Sequence, residues 1–159
     1  MPIPRPTLHS TPHMRDIAGN NDVNNKSPYG ALYNWYAVNT GKLAPKGWHV
    51  PTCTEWGTLI TYLGGISAAG GNLKEVGLAH WLTPNGGATN EAGFTALPGG
   101  CRFSSSSSFD GLGETGRWAS STVSSTPSSI CLLIDLVNAN AQLMDAYFAT
   151  GLSVRCIQG

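Results

Sequence analysis

A chain of 159 residues fits one domain with a sizeable core. Nine basic residues balance nine acidic ones, which argues against the basic surface that a nucleic acid or an anionic membrane requires. Only 11% of the residues are charged, while glycine, serine, threonine and asparagine are abundant, and this composition favours an extracellular, cell-surface or virion protein over a helical cytosolic enzyme.

Residues 1–27 are predicted to form an irregular arm or linker. They include five prolines or glycines and a cluster of Asn and Asp residues. The start lacks the apolar core of a signal peptide, and no apolar run in the chain approaches the about 20 residues of a membrane-spanning helix. We therefore expect one folded domain over residues 28–159 and no insertion into a membrane.

A helix is predicted soon after the start of the domain. The aromatic segment 29–38 favours β structure, and residues 43–50 favour a turn followed by a short strand. Thr52 and Glu55 then have the spacing of a capping box, and the Gly64-Gly65 pair is a typical helix end. The inward face of this helix would carry the apolar residues Trp56, Leu59, Ile60 and Leu63.

A shorter second helix is predicted over residues 68–76, with Leu73 and Val76 facing inward. Between residues 80 and 100, glycines, prolines and asparagines follow one another closely. This composition predicts a long structured loop around a short strand at residues 94–97.

The last third of the chain favours strands, at residues 117–121, 129–136 and 152–157, with an irregular excursion over 137–150. In the middle strand the even-numbered residues are uniformly apolar, so that face is predicted to point to the core and the odd face to solvent. Strands that follow two helices indicate an α+β domain with a small, mostly antiparallel sheet.

The stretch between Trp118 and Val154 has an unusual composition. It contains no lysine or arginine, and its large apolar residues follow neither a clean helical nor a clean strand period. Apolar side chains that no period assigns to a core are candidates for an exposed contact surface. The core is expected to be anchored elsewhere, by Trp35, Trp48, Trp56, Trp81 and Trp118.

No constellation of catalytic residues stands out. His49 and His80 each lie beside a tryptophan and outside any recognisable catalytic motif, so we interpret both as packed, hydrogen-bonded histidines. The carboxylates are scattered, and no glycine-rich loop has the spacing of a phosphate-binding motif. We therefore expect no enzymatic activity.

Metal binding has one candidate place. The four cysteines lack zinc-site spacing and allow three disulfide pairings, among which the sequence does not choose. Calcium could bind in the loop 84–91, where Asn85, Asn90 and Glu91 offer oxygen ligands. The alternative is that these side chains close turns on their own backbone.

Several segments together resemble the Fibrobacter succinogenes major paralogous domain. They follow one another in unbroken order over residues 28–157: YGALYNWYAV, GWHVPTCTEW, YLGG, AGGNLKEVG, HWLTPNGGATNEAGFTALPGG, RWASST and GLSVRCI. The resemblance implies a C-type-lectin-like α+β fold, with two helices and long structured loops, related to formylglycine-generating enzymes. The family usually has a cysteine where this chain has Ala44, so the resemblance leaves Cys156 without its usual partner and makes Cys53 the candidate substitute.

The tail departs from the family in a characteristic way. Family members tend to carry an asparagine- and tyrosine-rich stretch where this chain reads NANAQLMDAYFATGLSVRC. Replacement of asparagine-like positions without a change of length resembles a variable protein of a diversity-generating retroelement, in which adenine-directed mutagenesis rewrites codons near the end of a C-type-lectin fold. The resemblance implies a variable region at about 117–150.

This resemblance implies a diversified surface that recognises a protein ligand on a host or neighbouring cell. It is also compatible with the formation of an oligomer. The alternative for each candidate residue is that it folds back onto its own core. A different hypothesis is a carbohydrate-binding, lectin-like surface adhesin without diversification. The candidate ligand contacts are Leu136, Val137, Gln142, Leu143, Asp145, Tyr147 and Phe148, with Arg117 and Asp135 at the margin.

Overall fold

The computed structural model describes residues 15–17 and 22–159, and these contain nine β-strands, four α-helices and one short 3-10 turn. In chain order they are β1 (Arg15–Ile17), the 3-10 turn (Val23–Asn25), α1 (Lys26–Tyr29), β2 (Ala31–Tyr33), α2 (Trp35–Val38), β3 (Trp48–His49), α3 (Cys53–Tyr62), α4 (Ile66–Leu73), β4 (Gly99–Arg102), β5 (Phe109–Leu112), β6 (Thr115–Ser125), β7 (Ser128–Asp135), β8 (Ala141–Tyr147) and β9 (Ile157–Gln158). The predicted α+β class is confirmed. Among the described residues, none of the helices combines the length and the hydropathy needed to cross a bilayer.

The main sheet has five strands in the order β5-β4-β6-β7-β8, so β8 is an outer strand. Only the β4–β6 pair is parallel, and the other pairs are antiparallel. Two smaller antiparallel pairs, β1–β2 and β3–β9, lie outside this sheet. The strand predicted at 152–157 is reduced to isolated bridges at residues 151–153 and to β9. The strand β1 lies inside the segment that was predicted to be irregular.

Both faces of the main sheet are covered. The register places Trp118, Leu132 and Leu143 side by side, and this row packs against residues of α3 and α4. The next row contains Cys131 and lies on the opposite face, where a second cluster packs against it. The prediction that the odd-numbered face of β7 points to solvent is therefore wrong, since Cys131 is fully buried.

The helix α3 confirms the prediction from its capping box. The Thr52 hydroxyl accepts a hydrogen bond from the Glu55 main-chain N–H at 3.2 Å, and the Glu55 carboxylate accepts one from the Thr52 N–H at 2.8 Å. Both partners are local in sequence, so the helix start follows from the residue pattern alone.

The helix α4 ends three residues earlier than predicted. Lys74 leaves the helix in an extended conformation and bridges Ala96, and the Glu75 N–H donates to the Ala96 carbonyl at 3.2 Å. This long-range contact competes with the last helical turn. It leaves Val76 58% exposed, so the predicted inward position of Val76 is wrong.

Two short helices, α1 and α2, were not predicted. The aromatic segment 29–38 divides after β2, because the buried Asn34 side chain accepts a hydrogen bond from the Ala37 N–H at 3.1 Å and starts α2. The predicted strand at 94–97 is reduced to the single bridge at Ala96.

The predicted irregular excursion contains a regular strand, β8, which pairs with β7 over seven residue positions. The strand period was hidden because β8 contributes residues to both clusters, Leu143 to one and Ala146 to the other. A strand that is covered on both faces has no apolar–polar alternation.

Candidate ligand-binding surface

The loop between β7 and β8 has a main chain that is ordered by its own side chains. The Asp135 carboxylate accepts hydrogen bonds from the N–H groups of Val137 at 2.8 Å and Asn138 at 3.3 Å. The Asn138 side chain accepts one from Asn140 N–H at 2.8 Å. Such side-chain caps of turn N–H groups fix the loop conformation.

Lys74 holds the same loop from beneath. Its side chain is fully buried, and Nζ donates to the main-chain carbonyls of Gly86 at 2.7 Å, Asn138 at 2.8 Å and Asp135 at 3.1 Å. Burial lowers the pKa of Lys74, while the nearby Asp135 carboxylate acts in the opposite direction. Only the ammonium form has three N–H donors, so the three carbonyls select the charged lysine.

Glycines let the neighbouring main chains approach the loop closely. A Cβ atom on Gly70 would overlap the Asn140 carbonyl, and one on Gly86 would overlap the Val137 carbonyl. Gly71 N–H also donates to the Ala139 carbonyl at 3.1 Å. Lys74 and the glycines thus hold the loop through its main-chain atoms, while Asp135 and Asn138 add side-chain caps. The exposed Val137 side chain takes part in none of these contacts.

The nine predicted contact residues fall into three environments. Val137 and Tyr147 are 65% and 63% exposed, and Gln142 and Asp145 are also exposed. Phe148 is buried. The half-buried members are Arg117, Asp135, Leu136 and Leu143. The two leucines pack against the core cluster between the main sheet and the helices α3 and α4.

Phe148 belongs to the core, and the prediction that it contributes to the exposed surface is wrong. Its ring stacks on Trp35 with a centroid distance of 4.2 Å and meets Tyr36 edge-on at 5.7 Å. Its N–H donates to the Pro127 carbonyl at 2.8 Å, and its carbonyl accepts from Trp35 N–H at 2.9 Å. These contacts leave Phe148 only 8% exposed.

The remaining candidates do not form one flat patch. Gln142 is in register with Leu133 and, across β7, with Arg117, so these three side chains share one face of the sheet. Asp145 and Tyr147 follow at odd positions of β8 and point to the opposite face. The exposed candidates therefore line the outer strand and its preceding loop, which the structure brings together as one ribbon.

Nearly the whole chain is similar to one known protein family. Residues 2–158 match the family model described as the Fibrobacter succinogenes major domain. The chain belongs to this family. Comparisons with curated proteins and with solved structures each give no match. The family match supports the resemblance seen in the sequence, while the C-type-lectin likeness stays an implication of it.

His49 and His80, the two histidines among the described residues of this Fibrobacter succinogenes major domain, have carboxylate partners. His49 Nε2 lies 2.8 Å from Glu55 Oε1, and His80 Nδ1 lies 2.9 Å from both oxygens of Glu75. Tyr29 meets the His80 ring edge-on at 5.6 Å, and burial, followed by the Glu75 charge, raises the pKa of Tyr29. The predicted hydrogen bonding is confirmed at both histidines, but the His49 side chain is 42% exposed and is therefore not packed in the core. The absence of enzymatic activity stays a prediction.

The loop proposed for calcium uses its asparagines internally. Asn85 donates to the carbonyls of Glu75 at 2.9 Å and Gly77 at 2.7 Å, and Asn90 exchanges two hydrogen bonds with Thr95. Within the described residues, Asn85 Oδ1 is buried without a hydrogen-bond partner, and no cluster of three or more His, Cys, Asp or Glu residues occurs. The oxygens of Asn85 and Asn90 are too few for the about six to eight oxygen ligands that a calcium ion takes. The hydrogen bonds agree with the alternative that these side chains close turns, and the expectation that no cofactor is bound stays a prediction.

All four cysteines are free thiols, so the pairing of Cys53 with Cys156 that the resemblance suggested is not formed. Cys101 and Cys131 lie inside the second core cluster. Burial raises the pKa of Cys131 to about 11 and also raises that of Cys101, which keeps both groups as unreactive thiols.

One tryptophan departs from the expected core role. Trp56, Trp81 and Trp118 are buried and Trp35 is half-buried, but Trp48 is 45% exposed. No local pattern around Trp48 predicts this exposure, because it arises where β3 pairs with β9, which lies more than 100 residues further along the chain.

Proposed function

We propose that this protein is a ligand-binding protein for receptor recognition, displaying a diversified surface as the variable protein of a diversity-generating retroelement. Its ligand would be a protein on the surface of a host or neighbouring cell, met outside the cell or on a virion. The observation that carries the proposal is the support of the β7–β8 loop through main-chain atoms, with Lys74 at its centre.

A diversified surface needs positions whose side chains can change without loss of the fold. Val137, Gln142, Asp145 and Tyr147 meet this requirement, since they are exposed and the hydrogen bonds that support the loop and pair β8 with β7 involve main-chain atoms there. Tyr147 offers a large contact area at low entropic cost, which suits an anchor residue in a protein interface. Because Phe148 is buried, the proposed contact surface is smaller than expected, but these four exposed positions remain.

The position of β8 at the edge of the sheet also supports the proposal of a ligand-binding surface. Although core clusters cover much of both faces of β8, its side chains Gln142 and Tyr147 are exposed on opposite faces at the edge of the sheet, so a partner that approaches this edge can contact both. The ribbon carries a single exposed charge, at Asp145, so we expect binding to depend on shape and apolar contact more than on long-range electrostatic steering.

Sequencing the DNA downstream of the gene tests the proposal. We expect a near-copy of the codons for about residues 117–157, differing from the gene mainly at adenines, together with a reverse-transcriptase gene. If neither is found within the locus, the diversification proposal is wrong. Sugar binding that a calcium chelator abolishes would instead support the alternative of a carbohydrate-binding adhesin.

A further inference from the structure

A concave surface, distinct from the ribbon along β8, lies between the β3–β9 pair and the helix α3. The groove has a volume of about 260 Å³. Trp48 and Ile157 form its rim and are 45% and 38% exposed, which is high for large apolar side chains. The remaining wall is formed chiefly by Trp56, Leu59, Phe94 and Arg155.

Arg155 gives this apolar groove one fixed positive charge. Its guanidinium carbon lies 4.7 Å from the centroid of the Phe94 ring, and Nη2 donates to the Phe94 carbonyl at 3.1 Å. Among the described residues, no carboxylate pairs with Arg155. Glu55 also lines the groove, but its oxygens are engaged by His49 and Thr52.

The arrangement has the features of a small-molecule site. Such sites are concave and mainly apolar, with a few fixed polar groups that orient the ligand. Arginine has five N–H donors in a planar fork that matches a carboxylate, and only one of them has a hydrogen-bond partner among the described residues. The exposed ring of Trp48 would favour contact with another ring.

We propose that this groove binds a small aromatic carboxylate, with the ring against Trp48 and the carboxylate on Arg155, which lies over Phe94. The volume is below the about 300 Å³ at which drug-sized pockets begin, so it admits one ring with a short arm rather than a longer chain. The lining residues lie outside the predicted variable region at about 117–150, so diversification of the β8 surface would leave them unchanged. Arg155 and Ile157 fall within the codons that the near-copy is expected to span, but beyond its variable positions. It therefore adds a constant binding site to the proposed function.

The test is a nuclear magnetic resonance titration of the full chain, labelled with nitrogen-15, with phenylpropionate and with its neutral analogue phenylpropanol. The indole N–H signal of Trp48 is assigned by Trp48→Phe, and the indoles of Trp35, Trp81 and Trp118, which do not line the groove, report on the fold. We expect phenylpropionate to shift the Trp48 signal to saturation and to bind about tenfold more tightly than the alcohol, because of the charge-assisted hydrogen bonds.

Two charge variants separate a specific contact from a general charge effect. Arg155→Gln should abolish the preference for the acid, whereas Lys46→Gln removes an exposed charge that does not line the groove and should keep the preference. If Arg155→Gln disturbs the other indole signals, Arg155→Lys is used and should keep part of the preference. Equal affinity of the parent protein for acid and alcohol, or no saturable shift of Trp48, would overturn the proposal.

Discussion

Tyr147 and Phe148 are adjacent aromatic residues in opposite environments. Tyr147 ends β8 and is 63% exposed, while Phe148 turns inward onto Trp35 and is 8% exposed. From the sequence, both are predicted to be surface anchors, because aromatic character alone does not distinguish a ring in the core from a ring in a binding interface. The partner that decides the matter, Trp35, is distant in the chain, so no local pattern could show it.

The pair makes a direct prediction about stability. Phe148→Ala should lower the free energy of unfolding by about 3–5 kcal/mol, because it empties a packed aromatic site. Tyr147→Ala should change it by less than about 0.5 kcal/mol, as an exposed substitution. Chemical denaturation measures both, with Tyr62→Ala, which removes a tyrosine that is 85% exposed, as the matched control. Equal losses for Tyr147→Ala and Phe148→Ala would refute the assignment.

Glu55 should make the stability depend on acid pH. The hydrogen bond from the Thr52 main chain, ahead of the contact with His49, lowers the pKa of Glu55 below its usual value. The stabilisation is therefore complete above the pKa of the unfolded chain and is lost as the pH falls through the lower pKa of the folded state. We expect the free energy of unfolding to fall less steeply between about pH 5 and pH 3 in Glu55→Gln than in the parent. Parallel pH profiles for the two proteins would show that the cap carboxylate does not contribute.

At the scale of elements, the predictable parts are those with local causes. The helix α3 follows from Thr52 and Glu55, which are three residues apart and complete the capping box. The end of α4 and the strand β8 were missed because their causes are distant, the contact of Lys74 with Ala96 and the covering of both sheet faces. A sequence pattern reports local propensity and periodicity. Neither contains information about long-range contacts, which form only when the chain folds.

Lys74 links three elements and should be costly to replace. Lys74→Met keeps a similar volume but leaves three buried carbonyls without their donor, so we expect a loss of about 2–4 kcal/mol in the free energy of unfolding. Lys46→Met changes an exposed lysine in the same way and should cost less than about 0.5 kcal/mol.

Thermal or chemical denaturation of the two lysine variants gives the comparison. Faster hydrogen exchange at residues 135–140 of Lys74→Met should accompany the loss of stability, because the loop loses its central support. A stable Lys74→Met protein with unchanged exchange in this loop would show that the glycine contacts and the side-chain caps of Asp135 and Asn138 hold it without Lys74.

At the scale of the whole molecule, the sequence was most informative where motifs accumulate in a fixed order. That order indicated the family and the α+β class, and both are confirmed over nearly the whole chain. It could not show which side chains of the tail reach solvent, since this depends on how α3, α4 and the segment around Val38 cover the two faces of the sheet. The candidate surface therefore shrank from nine residues to a ribbon along an outer strand.

The central claim is that the main chain of the β7–β8 hairpin is independent of its outward side chains. The direct measurement is amide hydrogen exchange over residues 135–147 in the parent and in a variant that combines Val137→Thr, Gln142→Thr, Asp145→Thr and Tyr147→Thr. Threonine keeps a high β propensity, so the comparison isolates side-chain identity. We predict protection factors within about threefold of the parent at every hairpin amide. A loss of more than about tenfold confined to this hairpin would contradict the account.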